Sequence, residues 1–290
     1  MEVYQISSTL VPAAQLRDDV KQVVVLKEAE RQGCPLKIRL PERPSGRFCT
    51  AQEDGGGIYG TMALPNKVFF GYTVTAELVC FVDDSGAVER VLQKLSASKR
   101  WSEPGVGRFL YDFWGALLEE DLRKLEAQEE KITKMESAVL NDPPASLHQK
   151  LMFHRRQVIS FLRCYTQFDD VLDRLLENGN GLFTPEELRL FRLLQERVGR
   201  LRSTAQNLRE YCLQVWELFQ AEVDLRQNRI MKTLTTVTVV FSPITLLVGW
   251  YGMNFAMPEL GWSYGYVFVI ALGVVVTALA AWLCKRKKFW

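Results

Sequence analysis

The residues that could do chemistry in this chain are hydroxyls and amides on one face of an apolar helix, not a nucleophile beside a base. Asn228, Met231, Thr235, Thr238, Ser242, Thr245 and Gly249 recur at alternating steps of three and four. That spacing places side chains on one side of a helix. The surrounding sequence from Thr233 to Tyr251 carries no charge and is about long enough to cross a hydrocarbon core. A narrow, small, hydroxylated stripe there suits close packing against another helix, or the wall of a water-filled pore. Taken alone, the stripe favours packing.

The elements that must position this stripe follow from charge and hydropathy. A second uncharged segment, Tyr264 to Cys284, is rich in Val, Ala, Leu and Ile and reads as a lipid-facing span. Lys285-Arg286-Lys287-Lys288 follows it directly, and Arg226, Arg229 and Lys232 precede the first span. The loop from Gly252 to Ser263 has no Lys or Arg and one acid, Glu259. The positive-inside rule puts both termini in the cytoplasm and the loop outside. Trp250, Tyr251, Trp262, Tyr264 and Tyr266 gather at the outer boundary as an aromatic belt.

Upstream, Thr184-Pro185-Glu186-Glu187 offers an N-cap, a first-turn proline and a capping-box acid. No further proline occurs until Pro243. Phe191, Leu194, Val198, Leu201, Ala205, Leu208, Cys212, Val215 and Phe219 form a heptad seam along this stretch. The reading is one helix from Thr184 to about Tyr251, roughly 100 Å at 1.5 Å per residue. A stripe that long is expected to need partner chains, with the seam as the symmetry axis. On that expectation the hydroxylated face lines the axis, and a pore moves ahead of simple packing.

Before Thr184, Phe109 to Leu140 reads as one long helix carrying Glu119, Glu120, Asp121, Glu126, Glu129, Glu130 and Glu136, a solvated face in the leading reading and a cation-attracting one in the alternative. Asn141-Asp-Pro-Pro144 breaks it, and Ala145 to Glu177 forms the return arm of an antiparallel hairpin. Residues 1–100 mix strand and helix signals. Ile58–Leu64 and Val68–Val82 read as strands and Ala87–Ser98 as a helix. Gly55-Gly56-Gly57 is a turn, since no Lys-Ser/Thr follows to make a phosphate loop.

Composition excludes several classes. The net charge of +2 over 290 residues gives no nucleic-acid footprint. Met1 to Leu16 lacks the basic and apolar regions of a signal peptide, so export of the N-terminus is not expected. Six scattered cysteines without CxxC spacing read as buried thiols of a reducing compartment. His148 and His154 read as surface or helix-packing residues rather than metal ligands. No catalytic constellation emerges, and the chain does not read as an enzyme.

Further residues carry a resemblance. Asn228-Arg-Ile-Met231-Lys-Thr-Leu234-Thr, Phe241-Ser-Pro243-Ile-Thr245 and Gly249-Trp-Tyr251-Gly252-Met253-Asn254-Phe255-Ala-Met-Pro258-Glu259-Leu260, then a second span and a Lys-Arg-Lys-Lys-Phe-Trp end, resemble the CorA family of magnesium channels and transporters. The match is strong over residues 228–290; residues 1–100 agree only in being mixed α/β. The resemblance implies a homopentameric funnel with an α/β cytoplasmic domain, the first span lining the pore and the second outside it. It implies a selectivity ring of Gly252, Met253 and Asn254, a hydrophobic constriction at Met231 and Leu234, and Asn228 just below. Thr238, Ser242, Thr245 and Gly249 would line the path and Glu259 would lie near its mouth. The residue before the span proline is often Met in that family; Ser242 stands there and implies a wider or wetter mid-pore. A regulatory Mg²⁺ bound between cytoplasmic domains is also implied. Asp83, Asp84, Glu217, Glu222 and Asp224 are candidates, none matched to a family ligand, so the regulatory site stays unassigned.

The expected organisation is an α/β domain (1–107), a helical hairpin (108–183), a stalk helix (184–232), a first span (233–251), an external loop (252–263), a second span (264–284) and a basic tail (285–290). The leading function is passage of hydrated Mg²⁺, with Co²⁺ or Ni²⁺ as further cargo, down its gradient across the cell membrane. Its partners are four further copies of the chain, divalent cations and the lipid bilayer. A zinc transporter of the related ZntB type is the alternative within transport. A non-conducting, membrane-anchored coiled-coil scaffold is the alternative of another class.

Overall fold

The computed structural model describes residues 1–17, 20–34, 36, 38–40, 48–65, 68–141, 146–253 and 261–286. They fall into two compact units, Met1–Trp216 and Glu217–Trp290.

The first unit is built on a seven-stranded sheet in the order β2-β1-β3-β7-β6-β5-β4. The strands are β1 Glu2–Ile6, β2 Leu10–Ala13, β3 Gln22–Leu26, β4 Thr50–Asp54, β5 Gly57–Ala63, β6 Phe69–Val74 and β7 Leu78–Val82. Among the described strands only β3 and β7 pair in parallel. Alternation along β7 sends Val79 and Phe81 to one face and Leu78, Cys80 and Val82 to the other, all but Leu78 buried. The second face collects Val3, Val24 and Leu26 under Leu36, Ile38 and Leu40.

Helices cover the first face. They are α1 Ala87–Ser98, α2 Val106–Leu117, α3 Asp121–Asn141, α4 Leu147–Glu177 and the first part of α5, Pro185–Tyr251. The core is aromatic: Phe81 and Phe113 stack with ring centroids 4.6 Å apart, and Trp114 stands edge-on to Tyr72 and Phe168. Each such side chain, fully buried, contributes roughly 1.5–3 kcal/mol of transfer free energy.

Two expectations need correction here. Phe109–Leu140 is not one helix. The chain turns at Leu118, whose N–H bonds the carbonyls of both Trp114 and Ala116, and α3 starts at Asp121. The break lets α2 lay its aromatic face on the sheet while α3 runs beside α4 and α5. Asp121 is therefore no part of a solvated acidic face. It is buried and accepts from the Tyr165 hydroxyl (3.2 Å) and Lys124 Nζ (2.8 Å).

The second correction concerns the seam. Every seam residue from Phe191 to Val215 is buried within the single chain. Phe191 meets Trp114 and Phe183, Gln195 and Arg202 reach Asp173 and Asp169 of α4, and Tyr211 bonds Glu136 of α3. This stripe needs no partner chain, because α2, α3 and α4 already cover it. The helix start is as expected: Glu187 N–H donates to Thr184 Oγ1 (3.3 Å) and Thr184 N–H to Glu187 Oε2 (3.1 Å), a complete capping box.

The second unit holds the rest of α5 and α6, Gly265–Arg286. Both helices include a stretch long and apolar enough to cross a membrane. Thr236 is buried, and Val240, Pro243, Ile244, Leu247 and Tyr251 on the same side are half-buried. Gly265, Gly273, Ala280 and Cys284 are the buried side of α6, with Ile244 against Gly273. Small residues at such a crossing let two apolar helices approach closely.

Candidate functional site

The remaining face of α5 is bare. Asn228, Met231, Leu234, Thr235, Thr238, Ser242, Thr245 and Gly249 are all exposed, Met231 and Leu234 at 59% each. Thr238, Ser242, Thr245, Gly249 and Met253 line one side of an open groove of about 680 Å³, flanked by Phe241, Leu246 and Trp250. The stripe read from spacing is thus one continuous surface. Sequence reasoning missed the three flanking side chains as lining residues. Their signal was their place one step to either side of the stripe on the same helix.

Two of the hydroxyls on this surface have a defined polarity. Thr238 Oγ1 donates to the Leu234 carbonyl and Thr245 Oγ1 to the Phe241 carbonyl, each at 2.9 Å. A hydroxyl has one proton, and here it is used inside the helix, four residues back. What these threonines turn outward is lone pairs. They suit donors, and the water molecules around a cation point their hydrogens outward. The stripe carries no acid, so a hydrated cation would meet neutral acceptors there.

The space around Gly249 is open among the described residues: a Cβ built there meets no atom within 4 Å beyond its chain neighbours and its own helix backbone. Gly252 is different. Its N–H bonds the Val248 carbonyl (2.9 Å), and a Cβ there would press on that same oxygen at 3.0 Å. Met253 N–H donates to the Trp250 carbonyl (3.3 Å) and its side chain is exposed. Asn254 and Glu259 lie outside the described residues, as do Lys287 and Lys288. At the far end of α6, the Arg286 guanidinium lies over the Trp282 ring at 5.3 Å.

The acids weighed for a regulatory ion separate into two groups. Asp83 holds the start of α1, accepting from Val88 N–H (2.8 Å), Ser85 N–H (2.7 Å) and Ser85 Oγ (2.6 Å). Asp84 accepts from Glu28 N–H (3.0 Å). Glu217 and Asp224 stand exposed on α5 and Glu222 half-buried beside them. Among the described residues no three His, Cys, Asp or Glu side chains converge as a metal site. His148 packs its ring on Trp216 (4.7 Å between centroids), and His154 Nδ1 bonds Gln128 Oε1 (2.7 Å). Burial pushes the His154 imidazole below its ordinary range.

The decisive comparison is with known families. Residues 82–286 match the family described as CorA-like Mg²⁺ transporter protein, well over half of the chain. The chain belongs to this family.

Among curated CorA proteins, the cobalt/magnesium transport protein CorA of Thermotoga maritima is 28% identical over 180 residues, 61% of this chain and 51% of that protein. The magnesium transport protein CorA of Yersinia pseudotuberculosis is 48% identical over 69 residues, 23% of this chain and 22% of that protein. The chain thus spans about half, or less, of the length of these curated relatives. In solved structures, the complete CorA magnesium transporter of Methanocaldococcus jannaschii shares the fold with a TM-score of 0.82. It is 19% identical, and the match covers 100% of this chain and 98% of that one. A CorA chain with two apolar helices at its end is a membrane protein.

Proposed function

We propose that this chain assembles as a homopentamer about the bare face of α5 and passes hydrated Mg²⁺ across the cell membrane. The observation that carries this reading is the pairing of exposure with polarity. The stripe is uncovered in the single chain, and Thr238 and Thr245 present acceptors only. Such a wall matches an ion that keeps its water. Mg²⁺ gives up its first-shell water reluctantly, so five copies of the Asn254 carboxamide at the outer end would accept from that water rather than replace it. Neutral acceptors also release the ion more readily than a ring of carboxylates would.

In this assignment residues 184–232 are the stalk, 233–251 the pore-lining span, 252–263 the outer loop, 264–284 the second span and 285–290 a basic cytoplasmic tail. Gly252, Met253 and Asn254 form the filter, Met231 and Leu234 the narrow apolar constriction, and Asn228 the ring beneath. Glu259 raises the local cation concentration at the mouth. Both termini are cytoplasmic by the positive-inside rule. A membrane potential of 100 mV then drives a divalent ion inward with about 4.6 kcal/mol. Co²⁺ and Ni²⁺ are further cargo. Mg²⁺ bound to the soluble units stabilises the closed state through its higher affinity for it.

Reconstitution in liposomes tests the assignment. Saturable Mg²⁺ uptake is expected from wild type without a proton gradient, and its loss in Asn254→Ala. Uptake of Zn²⁺ in place of Mg²⁺, driven by a proton gradient, would assign the chain to the ZntB type instead. No flux of either ion, with Asn254→Ala unchanged, would leave a membrane-anchored scaffold.

A further inference from the structure

Two cysteines that sequence spacing gives no reason to associate are brought together in the first unit. Cys49 stands immediately before β4 and Cys164 lies in the middle of α4; both are buried. Their sulfurs converge on one backbone group. Cys49 Sγ donates to the Ala63 carbonyl at 3.5 Å and Cys164 Sγ to the same oxygen at 3.4 Å. The backbone beneath Cys49 is fixed to α4 as well, because Cys49 N–H donates to Gln167 Oε1 at 3.2 Å. Gln167 is three residues beyond Cys164, so one helical face holds both the second sulfur and the chain that carries the first.

The two thiols are not equivalent. Ala63 N–H also points at Cys49 Sγ (3.4 Å), and once Cys49 is a thiolate the Cys164 thiol can turn from the Ala63 carbonyl to donate to it instead. Both contacts favour a thiolate on Cys49, and the Cys164 hydrogen bond is the larger cause holding the Cys49 thiol below its ordinary range. Cys164 moves the other way, raised by donating that bond and by burial. A groove of about 210 Å³ walled by Ala63, Leu64, Pro65, Ser160, Arg163 and Gln167 opens onto Cys164, the neighbour of the Cys49 sulfur.

We propose that Cys49 and Cys164 form a peroxide-reactive dithiol, in which Cys49 is the attacking sulfur and Cys164 resolves it to a disulfide joining β4 to α4. The Cys49 thiolate attacks one oxygen of the peroxide. The O–O bond breaks, an S–O bond forms, and the departing hydroxide takes a proton to become water. Cys164 then loses its proton and attacks the sulfenic sulfur. The S–S bond forms, the S–O bond breaks, and hydroxide leaves with that proton as a second water. The two thiols supply the two electrons that reduce the peroxide.

The other cysteines are internal controls. Burial pushes the Cys80 thiol up to about 12 and the Cys212 thiol up to about 11, which keeps both as inert thiols. Cys34 is the least buried of the six. Oxidation governed by exposure alone would reach it first.

The test uses the full-length protein in detergent, treated with increasing hydrogen peroxide, alkylated and mapped by mass spectrometry without reduction. The expected result is a peptide joined through Cys49 and Cys164, appearing before Cys34 is modified and lost on adding dithiothreitol. In Cys164→Ser, Cys49 is expected to accumulate as a sulfenic acid trapped by dimedone. In Cys49→Ser, Cys164 is expected to remain a thiol. Modification of Cys34 first, with Cys49 and Cys164 still alkylated as free thiols after denaturation, would overturn the proposal. That outcome is read on wild type, so it holds even where a serine variant fails to fold.

Discussion

Helix α5 carries the same three-and-four spacing twice, and the two stretches have opposite fates. From Phe191 to Val215 the stripe is Phe, Leu, Val, Ala and Cys, and every member is buried against its own chain. From Asn228 to Gly249 it is Asn, Met, Thr, Ser and Gly, and every member is exposed. Periodicity locates a face but does not say what covers it. The first stripe is bulky and apolar, and three neighbouring helices of the same unit satisfy it. The second is mostly small and hydroxylated, and the Thr238 and Thr245 protons are already used within the helix. That face is left uncovered by the described residues of the chain.

The largest effect that separates the two stretches is thermodynamic. Phe191→Ala is expected to cost about 3–5 kcal/mol, the range for removing a large buried aromatic. Met231→Ala in the bare stripe is expected to change the stability of the soluble unit by less than about 0.5 kcal/mol. Denaturant unfolding followed by soluble-unit fluorescence measures both; equal costs would erase the distinction.

A second substitution sharpens the comparison around the span. The side of α5 away from the stripe is covered by α6, where Ile244 meets Gly273. Gly273→Leu is expected to push the two helices apart at a cost of about 1–3 kcal/mol, as overpacking does. Thermal stability of the detergent-solubilised protein should fall. Gly249→Ala, whose added Cβ meets no described side chain within 4 Å beyond its chain neighbours, should leave it unchanged.

The smallest effect belongs to His154. Its folded-state pKa is lowered by burial and by Lys131, so the unfolded chain takes up a proton that the native chain resists. Stability is therefore fully present above about pH 6.5 and declines as the pH falls toward the lower native value. The slope should be slight, because the ring is only partly buried. His154→Gln should flatten it when unfolding is measured across that window.

Much of this was readable before any coordinates. The capping box at Thr184 and the limits of α1 follow from capping chemistry and local pattern, which act over a few residues. The turn at Leu118 does not. Leu118-Glu119-Glu120 are good helix formers, and the break exists because the aromatic face of α2 is pulled onto the sheet. The owner of the Phe191–Val215 stripe was misread for a related reason. Burial by α3 and α4 depends on how distant segments fold back, which a heptad pattern does not record. The convergence of Cys49 and Cys164 on Ala63 is likewise a product of the sheet meeting α4. On the candidate site, spacing supplied the residues, while the direction of the Thr238 and Thr245 hydroxyls required the structure.

The central claim is that the bare face of α5 is the wall of the ion path. Thr245→Cys and Val274→Cys, treated with a charged, water-soluble thiosulfonate during Mg²⁺ flux into liposomes, test it most directly. Thr245 lies on the stripe and Val274 is an exposed residue of α6. The account predicts that the reagent abolishes flux through Thr245→Cys and leaves wild type and Val274→Cys conducting. Undiminished flux through fully modified Thr245→Cys would contradict it.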